Sequence, residues 1–283
     1  MIPEAVRAWC QTQGFGEIRT SRGVSGGCIN QGAIIETTSG PTLFLKTNPG
    51  APADMFPREA EGLQALAVPE GPRLPQVFLV EAGFILLEDL QPARRMDGFW
   101  ELFGRQLAAL HAHTSDQYGF EHDNYIGSTP QPNPWTADGY EFFAEHRLRF
   151  QAGLAVKKRL LDQHELRQVE VLVGRLRDLI PEQPASLIHG DLWGGNALAD
   201  QAGAPALIDP AAHFGWSEAE LGMTRLFGGF PEAFYRAYQA VRPSPPGLAD
   251  RLPIYNLYHL LNHLNLFGSG YYSQVKAILN RFA

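Results

Sequence analysis

The stretch LIHGDLWGGNAL, residues 187–198, decides how this chain is read. An apolar run leads into His189-Gly190-Asp191, a glycine-rich turn ends in Asn196, and an apolar run resumes. Asp and Asn form turns and Gly permits them, so a polar hairpin tip is one reading. The other is chemical, with Asp191 as proton acceptor and Asn196 as metal ligand on rigid flanks. Asp209 follows thirteen residues beyond Asn196, closing the apolar run Ala206-Leu207-Ile208. A carboxamide and two carboxylates supply hard oxygen donors, which suit Mg²⁺ bound together with phosphates.

A catalytic loop, a short hairpin and a metal-binding Asp in this order form the arrangement of protein-kinase-like enzymes. One Asp orients the acceptor hydroxyl and takes its proton, while Asn and the second Asp hold metal. Such an enzyme also needs a phosphate cradle and a lysine. Upstream, Gly23-Val24-Ser25-Gly26-Gly27-Cys28-Ile29-Asn30 forms a glycine-containing turn whose bare backbone N–H groups can approach phosphate oxygens. It is not a Walker A sequence, since no Gly-Lys-Ser/Thr follows. Lys46 lies on the next hairpin, where it can reach α- and β-phosphates, and Glu59 or Glu61 on the following helix can position it.

Working outward, residues 31–38 and 42–47 read as hairpin strands around Ser39-Gly40-Pro41. Leu43 and Leu45 alternate with Phe44 and Lys46, so Lys46 lies on the face opposite Leu45. Helices are expected at 3–13 and 56–67, with strands at 76–80 and 83–87. After Asp89 the pattern turns helical, over 99–113, 139–152, 162–180, 217–227, 231–241, 252–267 and 271–282, with 114–138 loop-like. Short strands at 186–189, 196–199 and 205–209 bracket the quoted loop. The expectation is an α+β, bilobal fold. A small antiparallel-sheet lobe with one main helix (1–88) binds nucleotide phosphates. A larger, mostly helical lobe (89–283) carries the catalytic loop, the metal ligands and the acceptor site. Clefts between lobes are common ligand sites.

The whole chain holds 283 residues, 45% hydrophobic and 19% charged, with net charge −7, so a sizeable core is available and disorder is not expected. Residues 1–88 carry nine acids and six bases and the remainder 21 and 17, so neither lobe is basic and no nucleic-acid partner is expected. No apolar run approaches the roughly 20 residues of a membrane helix. The opening MIPEAVRAWCQTQGF lacks a signal pattern, and two cysteines, Cys10 and Cys28, do not make a disulfide framework. A cytoplasmic protein without a membrane partner is expected.

Together VSGGCIN, FLKT, MFPREAEGLQAL, HGDLWGGN, IDPA, ELGMTRLFGGFPEAFYRAY and YNLYHLLNHLNLFGSGYY closely resemble the fructosamine kinase (ketosamine-3-kinase) family. The match covers nearly the whole chain. HGDxxxxN is shared with the wider aminoglycoside-phosphotransferase and choline-kinase-like group, whereas LWGGN, ELGMTRLFGGF and LYHLLNHLNLFG are more specific. The resemblance implies a protein-kinase-like fold and ATP- and Mg²⁺-dependent phosphorylation of the sugar 3-hydroxyl of ketosamines. These are fructosyl or ribulosyl adducts of amines or protein lysines, which phosphorylation makes unstable, a deglycation repair. It implies Asp191 as catalytic base, Asn196 and Asp209 as Mg²⁺ ligands, Lys46 on the phosphates and Glu59 as its partner. Gly26, Gly27 and Cys28 fall in the phosphate loop, and Glu88, Asp89 and Leu90 at the hinge that meets adenine. HGD in place of His-Arg-Asp, and IDP in place of Asp-Phe-Gly, imply that no activation-loop switch operates.

For the acceptor, Trp193 is a candidate for stacking on a sugar or amine. Glu218 or Glu220 could attract a cationic amine. Tyr255, Tyr258, His259 and Asn262 share a helical face that could line the pocket. His189 reads as a structural hydrogen-bonding residue, and His111 and His113 as capping or packing. Cys28, among anion-favouring N–H groups, is a candidate redox site, with a monomer or a redox-dependent dimer as the expected state. The alternatives are an aminoglycoside- or choline-type small-molecule kinase, and a nucleotide-binding protein without turnover.

Overall fold

The computed structural model describes residues 2–24 and 29–283. Gly26, Gly27 and Cys28 of the expected phosphate loop lie outside these residues. Helix α1 (Glu4–Thr12) precedes a five-stranded antiparallel sheet of order β1-β2-β3-β5-β4, built from β1 (Ile18–Val24), β2 (Gln31–Thr37), β3 (Leu43–Thr47), β4 (Val77–Glu81) and β5 (Phe84–Glu88). Helix α2 (Met55–Leu66) is inserted between β3 and β4.

Strand alternation assigns the two faces. Leu43, Leu45, Phe84 and Leu86 pack with Val6 and Cys10 of α1, while Ile85 and Leu87 pack with Phe56 and Leu63 of α2. Lys46 is in register with Ile85, so it lies on the α2 face. Strand β1 was not expected. Its sequence IRTSRGV is almost wholly exposed and lacks the apolar alternation that marks a strand, and pairing with β2 alone holds it.

Beyond β5 the chain is mainly helical. Helix α3 (Phe99–His111) is followed by the short strands β6 (Thr114–Ser115), β7 (Asn124–Ile126) and β8 (Thr129–Gln131), where a loop was expected. The helical stretch expected at 139–152 is α4 (Gly139–Phe143), a π-helical turn (Ala144–Arg149) and α5 (Phe150–Lys157). Then come α6 (Gln163–Gly174), α7 (Leu176–Leu179), β9 (Ala185–Ile188), the hairpin β10 (Ala197–Ala199) and β11 (Pro205–Leu207), and β12 (His213–Gly215). Helices α8 (Ser217–Leu226), α9 (Glu232–Val241), α10 (Leu248–Phe267) and α11 (Tyr272–Phe282) complete the chain.

Helix α10 starts four residues earlier than the expected 252–267, and Arg251 in its first turn is buried on Glu218 of α8. Its length carries Ile254, Leu257, Leu260, Leu261 and Leu264 into the main apolar core. A second core joins Phe103 and Leu107 of α3 to Phe234 and Tyr238 of α9 and to Leu187 and Leu192 flanking the HGD loop. Both cores support the loop from behind. Among the described residues no helix is long and apolar enough to cross a membrane.

Candidate active site

The HGD loop leaves the end of β9, where Ile188 pairs with His213 of β12. Gly190 has φ +84°, and a Cβ there would lie 2.1 Å from the carbonyl oxygen of Ala211. Only glycine fits this position, which explains the middle residue of HGD. His189 is fully buried; its Nε2–H donates to the Ile208 carbonyl at 2.8 Å and its Nδ1 accepts the Asp191 N–H at 3.3 Å. Burial holds the imidazole below its ordinary pKa, so it is neutral and structural, as its position suggested. Asn196 Nδ2 donates to the Asp191 carbonyl at 2.8 Å, leaving its Oδ1 as the group for a ligand. The Asn196 carbonyl accepts the Ile208 N–H at 3.1 Å, so Asn196 is fastened directly beside Asp209.

Glu220, a candidate for attracting a cationic amine, is buried with both oxygens occupied and is instead the keystone beneath the loop. It is buried on α8, and its two oxygens accept the N–H groups of His189 (3.0 Å) and Gly190 (2.8 Å). His111 Nε2–H donates to it at 2.9 Å, and His111 Nδ1 accepts the Tyr238 hydroxyl at 2.8 Å. Burial would raise the Glu220 carboxyl, but these donors outweigh it and hold it below the usual range. Burial likewise keeps His111 neutral.

Lys46 Nζ lies 2.8 Å from Glu59 Oε1 and 2.7 Å from Asp209 Oδ1. Burial alone would lower its pKa, but the two carboxylates overcome this and raise it, so it is charged. Of the two acids on α2, Glu59 meets Lys46, while Glu61 meets Arg58 and His122. Asp209 adopts left-handed backbone (φ +57°), and its side chain is 43% exposed, open to the cleft. Burial, reinforced by Asp209, raises the Asp191 carboxyl well above its ordinary value. Asn48 Nδ2 donates to Asn30 Oδ1 at 3.1 Å, tying the end of β3 to the flank of the glycine turn.

The remaining candidates divide. Trp193 is exposed at the rim, and its ring lies so close to Gly195 that a Cβ there would be 2.4 Å from it. Glu88 takes Arg73 and the Gln76 N–H, and Asp89 takes Thr42 Oγ1 at 2.7 Å, so both side chains are spent on structure; Leu90 is buried. Glu218 does not face solvent. Arg251 grips it with two 2.6 Å bonds and Tyr255 donates to it at 2.9 Å, so its charge is already neutralised. Tyr255 and His259 are buried, burial holding His259 down to about 3. With Arg147, Tyr258 and Gly190 they line a cavity of about 30 Å³.

The donor set fits the metal its chemistry implies. A carboxamide oxygen and a partly exposed carboxylate are hard ligands for an ion that shares its shell with phosphates and water.

The sequence model of the family described as Fructosamine kinase matches residues 1–283. The chain belongs to the fructosamine kinase family. Similar relatives include a probable ketoamine kinase of Synechocystis sp., 43% identical over 271 residues, 93% of this chain and 90% of that one. The chloroplastic protein-ribulosamine 3-kinase of Arabidopsis thaliana is 38% identical over 293 residues, 100% of this chain and 88% of its own. Among solved structures, a Thermobifida fusca protein assigned as fructosamine-3-kinase superposes with TM-score 0.89 at 31% identity, covering 99% and 98% of the two chains. A choline kinase, LicA of Streptococcus pneumoniae, shares the fold alone, with TM-score 0.66 at 15% identity.

Proposed function

We propose that this fructosamine kinase family member transfers the γ-phosphoryl group of ATP to the sugar 3-hydroxyl of ketosamines, small or protein-bound, in the cytoplasm. The observation that carries the reading is the convergence of Asp191, Asn196, Lys46 and Asp209 on one cleft, in a chain similar throughout to a ketoamine kinase and a protein-ribulosamine 3-kinase. In this reading Asp191 orients the acceptor hydroxyl and takes its proton. Lys46, steered by Glu59, holds the phosphates. Asn196 and Asp209 would hold Mg²⁺, which when bound neutralises charge on the transferring group. Asp209 would hold that ion through the carboxylate oxygen that Lys46 does not take. The rest of the catalysis is positioning.

The test is Mg²⁺-dependent ATP consumption with ribulosyl-lysine and fructosyl-lysine, against kanamycin and choline, with the product phosphate located by NMR. Turnover on a ketosamine with phosphate on the 3-oxygen is expected, and Asp191→Ala should abolish it while ADP still binds. Preference for kanamycin or choline would keep the site and overturn the substrate.

A further inference from the structure

Helix α2 carries Glu59, and three residues on its other side, Asp54 just before the helix and Arg58 and Glu61 within it, follow helical spacing. The hairpin β7–β8 meets that stripe. Tyr125 of β7 donates its hydroxyl to Asp54 Oδ1 at 2.7 Å, and His122 Nδ1 lies 3.2 Å from Glu61 Oε2. At the tip, Gly127 sits so close to Ile29 that a Cβ would be 2.8 Å from its Cδ1.

The other side of this hairpin is fastened to the catalytic face through buried amides. Asn124 Nδ2 donates to the Ala212 carbonyl at 2.8 Å, and Gln131 Nε2 donates to Asn124 Oδ1 and the Ala211 carbonyl at 2.7 and 3.0 Å. Asn133 Nδ2 donates to Asn124 Oδ1 at 3.0 Å, and Arg147 donates to Asn133 Oδ1 at 2.7 Å. Tyr258 donates its hydroxyl to Gln131 Oε1 at 2.5 Å. Ala211 and Ala212 directly follow the Asp209-Pro210 pair, and Gly62 of α2 packs on Pro210, a Cβ there being 3.1 Å from it. A buried network with this many mutual bonds is rigid. The hairpin is thus a stiff bracket, anchored beside Asp209 and reaching across to the helix that steers Lys46.

We propose that the β7–β8 hairpin is a built-in strap that fixes α2, through the Tyr125–Asp54 bond, in the orientation that presents Glu59 to Lys46. Tyr125 is then a positioning residue for the nucleotide. The strap does permanently what a movable activation segment would do conditionally. This rests on the kinase reading above, because it assigns Lys46 to the phosphates.

The test is calorimetric titration of Mg²⁺·ADP into the full chain and into Tyr125→Phe, Asp54→Ala and the double variant, with the KM of a ketosamine measured alongside. A single hydrogen bond to a carboxylate at a partly exposed site corresponds to roughly a threefold to tenfold loss of ADP affinity. Each single variant should show that loss, the double variant should be no worse than either, and the ketosamine KM should stay within about twofold. Because Tyr125→Phe removes one atom from a half-buried ring, the variants fold, and melting temperature checks this. ADP affinity equal to the parent in both single variants, additive losses, or an equal rise in the ketosamine KM would overturn the strap. If the parent chain binds no ADP, the kinase reading itself falls; if it binds ADP and the variants bind it equally, only the strap falls.

Discussion

At Asp191 and Gly190 the loop carries local costs that the proposed role would require. The Asp191 carboxyl is raised by burial and by Asp209. A carboxylate raised on folding penalises the folded state once ionised. The penalty is absent below the unfolded pKa, grows as pH rises through the folded pKa, and is full above it. Asp191→Asn removes the charge at nearly constant volume. It should therefore raise Tm by a few degrees near neutral pH, lose that advantage in acid, and abolish turnover; a calorimetric melt at two pH values checks the sign. Gly190→Ala should act in the opposite direction. The left-handed backbone and the Ala211 carbonyl leave no room for a methyl group, so it should cost about 3 kcal/mol or more in urea titrations and extinguish activity.

Among elements, α8 is where the chain was hardest to read. Glu218 and Glu220 sit in the first turn of a helix, where acids are ordinary surface residues favoured by the helix dipole. Their partners lie far along the chain: Arg251, 33 residues on, for Glu218, and His111, 109 residues back, for Glu220. No local pattern reports such a pairing. Arg251→Met should therefore strand a buried carboxylate and cost about 3–5 kcal/mol, with Glu218→Gln in the same chain recovering much of it. Denaturant unfolding of the two variants is the measure.

The strand and helix order was legible wherever apolar spacing was strong, as in β3, α2, β5, α3 and α10. It was not legible in β1, whose residues meet solvent, nor in the three-residue strands β7 and β8, which side-chain amides and the single core residue Ile126 hold in place. In the site, HGD, Asn196, Asp209 and Lys46 were visible as residue types at telling spacings. The choice of Glu59 over Glu61 needed the helix to be set against the sheet.

On the scale of the molecule, two cores meet behind one loop, and the hairpin β7–β8 bridges from that loop's surroundings to α2. Glu220 gathers α3, α8, α9 and the end of β9 into one buried knot through His111, Tyr238 and two backbone amides. Loops that do chemistry are usually the first parts of a protein to open. Here the backbone N–H protons of His189 and Gly190 can be released only when a buried carboxylate gives up its donors. Their exchange with deuterated solvent should therefore follow unfolding of the whole chain, while the neighbouring Gly194 and Gly195 exchange early. The HGD loop would then be clocked as one of the slowest segments in the protein, its rigidity inherited from an acid on another helix.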